Sequence, residues 1–331
     1  EICACLVGSE MCIRDRKYNI PTAAYETFTD ADEAIAYIKK QNSFPAVIKC
    51  DGLALGKGVI IAKDEQEAEN AVRSMLLDGK FGKSGSEIVV EEFMTGPEVT
   101  VLAFTDGKTV KPMISSMDHK RAYDNDEGLN TGGMGTIAPN PLYTPDKQQE
   151  CMEKIFLPTI KAMAAEGRPF KGCLYFGLML TPNGAKVIEY NCRFGDPETQ
   201  VVLPLLETDI MDIIEAVWEE KLDTLDIKWS DKSCACVVMA SGGYPEKYET
   251  GKVISGLDEN GQCEGAFVYH AGTKLEDGKF LTAGGRVLGI TAYGDTLKEA
   301  LDTAYKAVDT ISFEKAHYRH DIGKKALSAL K

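Results

Sequence analysis

Val187-Ile188-Glu189-Tyr190-Asn191-Cys192-Arg193-Phe194-Gly195-Asp196-Pro197-Glu198 is an apolar run that closes on a cluster of charged and amide side chains. Residues two apart on a strand share a face, so Glu189 and Asn191 present a carboxylate and an amide oxygen to one point. Hard oxygen donors arranged in that way suit Mg²⁺ shared with nucleotide phosphates. Arg193 falls on the same face if the strand continues, and its planar fork suits a carboxylate or a phosphate. The plainer reading is a polar strand end, but charge packed this densely favours a buried site.

Upstream, Ile48-Lys49-Cys50-Asp51-Gly52-Leu53-Ala54-Leu55-Gly56-Lys57-Gly58-Val59 reads as a hairpin with a glycine-rich tip. Its glycines let backbone amides approach an anion while Lys49 and Lys57 neutralise it, a composition that suits a triphosphate. It is not a Walker A loop, because the spacing is wrong and no serine or threonine follows Lys57. An ordinary glycine-rich turn reads equally well. Lys49, however, ends an apolar strand, where an ammonium group is costly to bury unless a charge meets it. A third stretch, Val89 to Glu98, closes an apolar strand on Glu91 and Glu92 and carries a further acid at Glu98 after a turn. These acceptors suit an adenine amino group and ribose hydroxyls, although on this segment alone a solvated strand end is the better reading.

Between Pro112 and Pro141 regular patterning fades, and glycine, asparagine and aspartate dominate. Irregular loops of that length are usually functional or disordered. This one holds Asp118-His119-Lys120-Arg121 and Asn130-Thr131-Gly132-Gly133-Met134-Gly135, which suit an anionic substrate or a surface loop. His270 and the run Gly284-Gly285-Arg286 are weaker signals, since a lone histidine is more often structural.

The chain has 331 residues, 44% of them hydrophobic, enough for two or three subdomains with sizeable cores. Its 37 basic and 51 acidic residues leave a net charge of −14, which disfavours nucleic acid and anionic membranes as partners. The ten cysteines sit in apolar runs and read as reduced core residues; Cys3, Cys5 and Cys12 lack a nearby histidine or a second cysteine pair for a metal. No apolar run reaches the roughly 18 residues that cross a bilayer, and no signal-peptide pattern is present, so a cytoplasmic monomer is expected.

The expected organisation has four parts. Residues 1–16 read as a leader that does not match the rest. Residues 25–93 form a small α+β lid, with a helix from Asp30 to Lys40 and another from Glu67 to Leu77. Residues 17–24 and 94–226 form a central subdomain, with a helix from Asp146 to Ala165 and strands from Cys173 to Leu180 and Ala185 to Asn191. Residues 227–331 form a β-rich C-terminal subdomain closed by a helix from Leu297 to Ile311.

In this order the segments resemble the glycinamide ribonucleotide synthetase (phosphoribosylamine-glycine ligase) family of ATP-grasp ligases, from about Lys17 to the C-terminus. Asn130 to Gly135 and Glu189 to Glu198 are the most specific matches. The resemblance implies an α+β ATP-grasp fold, with two α+β subdomains clasping ATP and a C-terminal β-rich subdomain. It implies ligation of glycine to 5-phosphoribosylamine through a glycyl phosphate in purine biosynthesis, with ATP and Mg²⁺ or Mn²⁺. Lys49 would contact the phosphates, and the loop with Gly52, Gly56, Lys57 and Gly58 would close over them. Glu91 and Phe93 would lie at the adenine hinge and Glu98 at the ribose. Glu189 and Asn191 would hold the metal. Arg193, Asp118, Lys120, Asn130, Thr131, Gly132, Gly133 and Arg286 would surround the glycine and phosphoribosylamine sites, with Lys49 and Arg193 catalytic. The family's N-terminal Rossmann-like domain is absent from this chain. Two further readings therefore stay open: another ATP-grasp carboxylate–amine ligase, and a non-catalytic ATP-binding fragment.

Overall fold

The computed structural model describes residues 8–51, 58–78 and 86–330. A four-stranded antiparallel sheet is ordered Tyr25–Phe28, Ile88–Glu92, Ala46–Cys50, Val59–Ala62. Helices Ala31–Gln41 and Glu65–Leu76 cover one face, with Ala34, Ile35, Ile38, Val72 and Met75 packed on Ile48, Ile88 and Val90. The first helix starts where the Asp30 carboxylate accepts from the amides of Asp32 and Glu33, satisfying two otherwise orphaned donors. It stops at Asn42, which takes left-handed backbone at φ 45°. Because side chains alternate along a strand, Lys49 points away from these helices, opposite Ile48 and Cys50.

A second antiparallel sheet is ordered Gly184–Asn191, Gly172–Thr181, Glu98–Thr105, Val110–Pro112. One face is closed by a helical stretch over 145–165, whose Ile155, Phe156, Ile160 and Met163 pack on Leu174, Phe176, Val187 and Tyr190. Helix Gly8–Lys17 belongs to the same core, which differs from the leader expected at 1–16. Met11 and Cys12 are buried in it, and so is the ion pair of Arg14 with Asp15. The Arg14 guanidinium lies 4.6 Å from the Tyr190 ring centre, and the Tyr190 hydroxyl donates to Asp15 at 3.0 Å. The signal was hidden because this helix buries a charged pair instead of a wholly apolar stripe.

The third sheet runs Phe267–His270, Arg286–Gly294, Ser233–Ser241, Gly135–Ala138, Met117–Asp118, with Ala316–His317 pairing beside Ser233–Ser241. Helix Leu297–Val308 packs on it, started by a capping box between Thr296 and Glu299. The stretch 112–141 is thus not an irregular loop. It supplies two strands to this sheet and a hairpin, Arg121–Tyr123 with Glu127–Asn130. A boundary at 227 consequently leaves two of the sheet's strands outside.

The cysteines in the described residues are all free, and Cys12, Cys50, Cys151, Cys234 and Cys236 are buried. Cys3 and Cys5 lie outside the described residues. Among the described residues no helix is long and apolar enough to cross a membrane.

Candidate active site

The site is built on the face of the second sheet that the 145–165 helices leave free. Thr100, Gly177 and Glu189 lie side by side across three strands, and Leu102, Tyr175 and Asn191 form the next row. Tyr190, between the two oxygen donors, points into the opposite core and is 3% exposed, so Glu189 and Asn191 do share a face. Gly177 makes room for one of them: a Cβ there would sit 3.0 Å from Glu189 Cγ.

Asp118 and Lys120 bring their side chains to this face, while the His119 ring between them turns away to the Gly135 carbonyl and the Gly323 amide. Lys120 Nζ lies 2.9 Å from Glu98 Oε2. Burial pushes this ammonium down, but Glu98, then Glu189, Tyr175 and Asp118 outweigh it and hold its pKa well above the usual lysine value. Burial and the nearby Glu198 push the Asp118 carboxyl up. Glu198 is 3% exposed; the Thr100 hydroxyl approaches its Oε1 at 3.5 Å and shares a 3.0 Å hydrogen bond with the Tyr175 hydroxyl. Burial raises Glu198, while Tyr175, Lys120 and Arg193 pull it back.

The glycine loop beside this cluster is tied from both sides. The Lys120 carbonyl accepts from the amide and the hydroxyl of Thr131, each at 2.8 Å, and the Gly132 amide donates to the Tyr244 hydroxyl at 3.1 Å. Arg286 donates to the Gly132 carbonyl at 2.7 Å and to the Asp196 carbonyl and carboxylate, both at 2.9 Å. The loop's two central glycines sit close to their neighbours, and Gly133 also takes left-handed backbone at φ 112°. A Cβ on Gly132 would lie 2.8 Å from Arg286 Nη2, and one on Gly133 would lie 2.4 Å from Pro197 Cδ. Arg286 and Asp196 also line a cavity of about 130 Å³ with Gln200, Tyr269 and His270.

On the first sheet, Lys49 Nζ lies 2.6 Å from Glu91 Oε2, and the Cys12 thiol donates to Glu91 Oε1 at 3.6 Å. This is the charge that the burial of Lys49 requires. The Gly58 carbonyl accepts from the Cys50 amide at 2.9 Å and closes the hairpin. Gly52, Gly56 and Lys57 lie outside the described residues. The two sheets are linked at this end by an ion pair between Lys186, on the strand of Glu189, and Glu92, the neighbour of Glu91.

Several expected residues are placed differently from their reading. The strand ends at Asn191, so Arg193 does not continue its face; it is exposed and donates to the Phe194 carbonyl at 2.9 Å, within electrostatic reach of Glu198. Glu91 and Glu98, expected at the adenine hinge and the ribose, pair with Lys49 and Lys120. Phe93 is partly exposed beyond the strand end, and Asn130 is exposed at the base of the hairpin. Thr100, Tyr175, Gly177 and Glu198 were not singled out. Three of them sit in apolar strands without a polar cluster, and Glu198 lies in the quoted run but past the strand.

Among the described residues no group of three or more His, Cys, Asp or Glu side chains could enclose a metal. Glu189 and Asn191 are instead two half-buried hard oxygen donors on one face, a pair that suits an ion completed by phosphate oxygens and water.

Residues 14–199 match the model of the phosphoribosylglycinamide synthetase ATP-grasp (A) domain, and residues 234–325 match the C domain of the same synthetase. The phosphoribosylamine–glycine ligase of Caldanaerobacter subterraneus subsp. tengcongensis is 50% identical over 306 residues, 92% of this chain and 72% of that protein. The enzyme of the same name from Vibrio parahaemolyticus is 46% identical over 326 residues, 98% of this chain and 76% of that protein. The crystal structure of the Thermotoga maritima phosphoribosylamine–glycine ligase superposes with a TM-score of 0.85 at 32% identity, covering 97% of this chain and 80% of that one. The ATP-grasp match starts at residue 14, inside the helix that buries Arg14 and Asp15. With both domain models matched and half of its aligned residues shared with a ligase of that name, the chain belongs to the phosphoribosylglycinamide synthetase family.

Proposed function

We propose that this chain joins glycine to 5-phosphoribosylamine at the expense of ATP, giving glycinamide ribonucleotide, ADP and phosphate in purine biosynthesis. The reading rests on one observation above all: two half-buried hard oxygen donors, Glu189 and Asn191, share a sheet face with the charged cluster of Lys120, Glu98, Asp118 and Glu198. The glycine carboxylate attacks the γ-phosphorus of ATP, ADP leaves, and a glycyl phosphate forms. The phosphoribosylamine nitrogen then attacks the glycyl carbonyl and displaces phosphate, losing its proton as the amide forms.

Little covalent work falls to the protein in such a sequence; positioning and charge neutralisation dominate. Lys49 serves the nucleotide phosphates by exchanging Glu91 for a phosphate oxygen. Glu189 and Asn191 would hold Mg²⁺ or Mn²⁺, which when bound neutralises phosphate charge. Lys120 supplies the fixed cation nearest these donors, while Asp118 and the loop Thr131, Gly132 and Gly133 close the substrate side. Arg286 holds that loop, and Arg193 supplies a solvent-facing cation beside Glu198. Gly58 closes the phosphate hairpin, with Glu91, Phe93 and Glu98 bordering the nucleotide.

A cytoplasmic monomer acting on small molecules is the state this reading implies. The test is release of phosphate from ATP with phosphoribosylamine and a panel of amino acids. Dependence on glycine together with the amine supports the reading. Dependence on a different acid, or ATP binding without turnover, defeats it.

A further inference from the structure

The hairpin that follows Lys120 is poorly equipped to order itself. Two-stranded hairpins are marginal in water without a buried apolar face. Here Tyr123 is 49% exposed, Leu129 is 53% exposed, and every residue of Glu127–Asn130 faces solvent. Its turn takes left-handed backbone at both Asn125 (φ 58°) and Asp126 (φ 57°), which these two residue types accept more readily than most but which adds no stabilisation of its own. What holds it comes from almost 200 residues later in the chain.

Arg319, 1% exposed, donates to Asp126 Oδ1 at 2.8 Å, to the Arg121 carbonyl at 3.2 Å and to both Asp321 oxygens at 2.8 and 2.9 Å. Asp321 in turn accepts from the Asn125 amide at 2.8 Å. The His320 amide donates to Asp124 at 2.7 Å, and the His317 ring donates to the Ala122 carbonyl at 2.7 Å. The His119 ring closes the other end: Nδ1–H donates to the Gly135 carbonyl at 3.2 Å and Nε2 accepts from the Gly323 amide at 3.1 Å. The segment is itself anchored. Ala316–His317 pairs with Ala240 and Ser241, and the Tyr305 hydroxyl donates to the Arg319 carbonyl and accepts from the Ile322 amide. Lys325 also pairs with Asp126, so Arg319 and Lys325 together meet the carboxylates of Asp126 and Asp321.

We propose that residues 317–325 are a clasp that fixes the hairpin directly following Asp118 and Lys120, with Arg319 and His119 as positioning residues for the ligation. This rests on the reading of Lys120 and Asp118 as substrate residues. None of the clasp side chains needs to touch substrate. They fix the backbone on both sides of Lys120, at His119 and at Arg121, so that its ammonium meets Glu98 and the sheet face in one arrangement.

The test is Arg319→Lys, which keeps the charge but loses the fork that serves Asp126, Asp321 and the Arg121 carbonyl together. Amide hydrogen exchange over 119–130 rises about tenfold or more while the Ala46–Cys50 and Ile88–Glu92 amides keep wild-type rates. KM for glycine or phosphoribosylamine rises about tenfold and the Kd for ATP stays within about twofold. Asp124→Ala, at a surface position that removes only the His320 contacts, moves both readouts the same way by less, and carries the test if Arg319→Lys does not fold. Unchanged exchange in the hairpin overturns the proposal. So does raised exchange with an unmoved KM, and Lys120→Ala then assigns the failure. If that variant also leaves KM unmoved, the substrate-site reading is at fault; if it raises KM, the clasp is.

Discussion

Acid should weaken this fold through His119 in particular. The ring is buried, and burial, then the Arg319 charge, hold its pKa down to about 4 from an ordinary 6.5; the Gly135 carbonyl, Asp126 and Asp321 oppose the shift without reversing it. The native state therefore keeps the ring neutral, while the unfolded chain takes up a proton as pH falls through about 6.5. Its contribution to stability is complete above that value and is lost progressively down to about pH 4. A shift of about 2.5 units at roughly 1.36 kcal/mol each caps the loss near 3 kcal/mol. Between about pH 7.5 and about pH 5 the expected fall is roughly 2 kcal/mol. Urea unfolding at several pH values measures it, with His119→Asn as the comparison. Asparagine can still donate to the Gly135 carbonyl but cannot accept from Gly323, so the variant starts lower by about 1–3 kcal/mol and then falls less steeply. Asp15 works in the opposite direction. Burial raises its pKa to about 6 against the pull of Arg14, which favours the native state as pH falls, and this cancels in the comparison because Asp15 is present in both proteins. Parallel curves for the two proteins across that window would refute the assignment.

Glu189→Gln should lower metal-dependent turnover by about a hundredfold or more with an unchanged melting temperature, because an oxygen ligand is weakened and no core is touched; steady-state phosphate release with varied Mg²⁺ reads it. Gly177→Ala puts a methyl 3.0 Å from Glu189 Cγ and 3.4 Å from Tyr175 Cε1, so Glu189 must shift. Turnover should fall about tenfold while stability changes by less than about 1 kcal/mol, and wild-type kinetics in that variant would show that the Glu189 position is not critical. Ile48→Ala opens the lid core at a fully buried position and should cost about 2–5 kcal/mol in denaturant unfolding. Asp30→Ala removes two hydrogen bonds at the start of helix Ala31–Gln41 and should cost about 1 kcal/mol in the same assay.

Where periodicity is local, the architecture was readable before any coordinates. Ala34, Ile35 and Ile38 mark one helix face, and they are the residues that the lid core buries. Glu189 and Asn191 were readable for the same reason, since a strand's two-residue period assigns faces without reference to any partner. The stretch 112–141 failed the same reading because its strands are two to four residues long and the one that joins them to the third sheet, Gly135–Ala138, pairs with Ser233–Ser241, about a hundred residues away. Nothing nearby in the chain announces such a partner.

The site shows the same division at the level of single charges. That Lys49 needs a counter-charge follows from its place on an apolar strand, but that Glu91 supplies it depends on the register that sets Val47 opposite Glu91. Glu98 was read at the ribose, and its pairing with Lys120 was not foreseen, because it follows from 117–118 joining the third sheet. An apolar side chain is satisfied by any apolar neighbour, so its face alone predicts its fate. A buried ion is satisfied by one partner in one geometry, which the chain fixes only once its sheets have formed. Arg319 is the extreme case. The segment His317-Tyr318-Arg319-His320-Asp321 holds one of the largest fully buried side chains in the described protein, and beside its local partner Asp321 it needs the carboxylate of Asp126 on a hairpin almost 200 residues earlier.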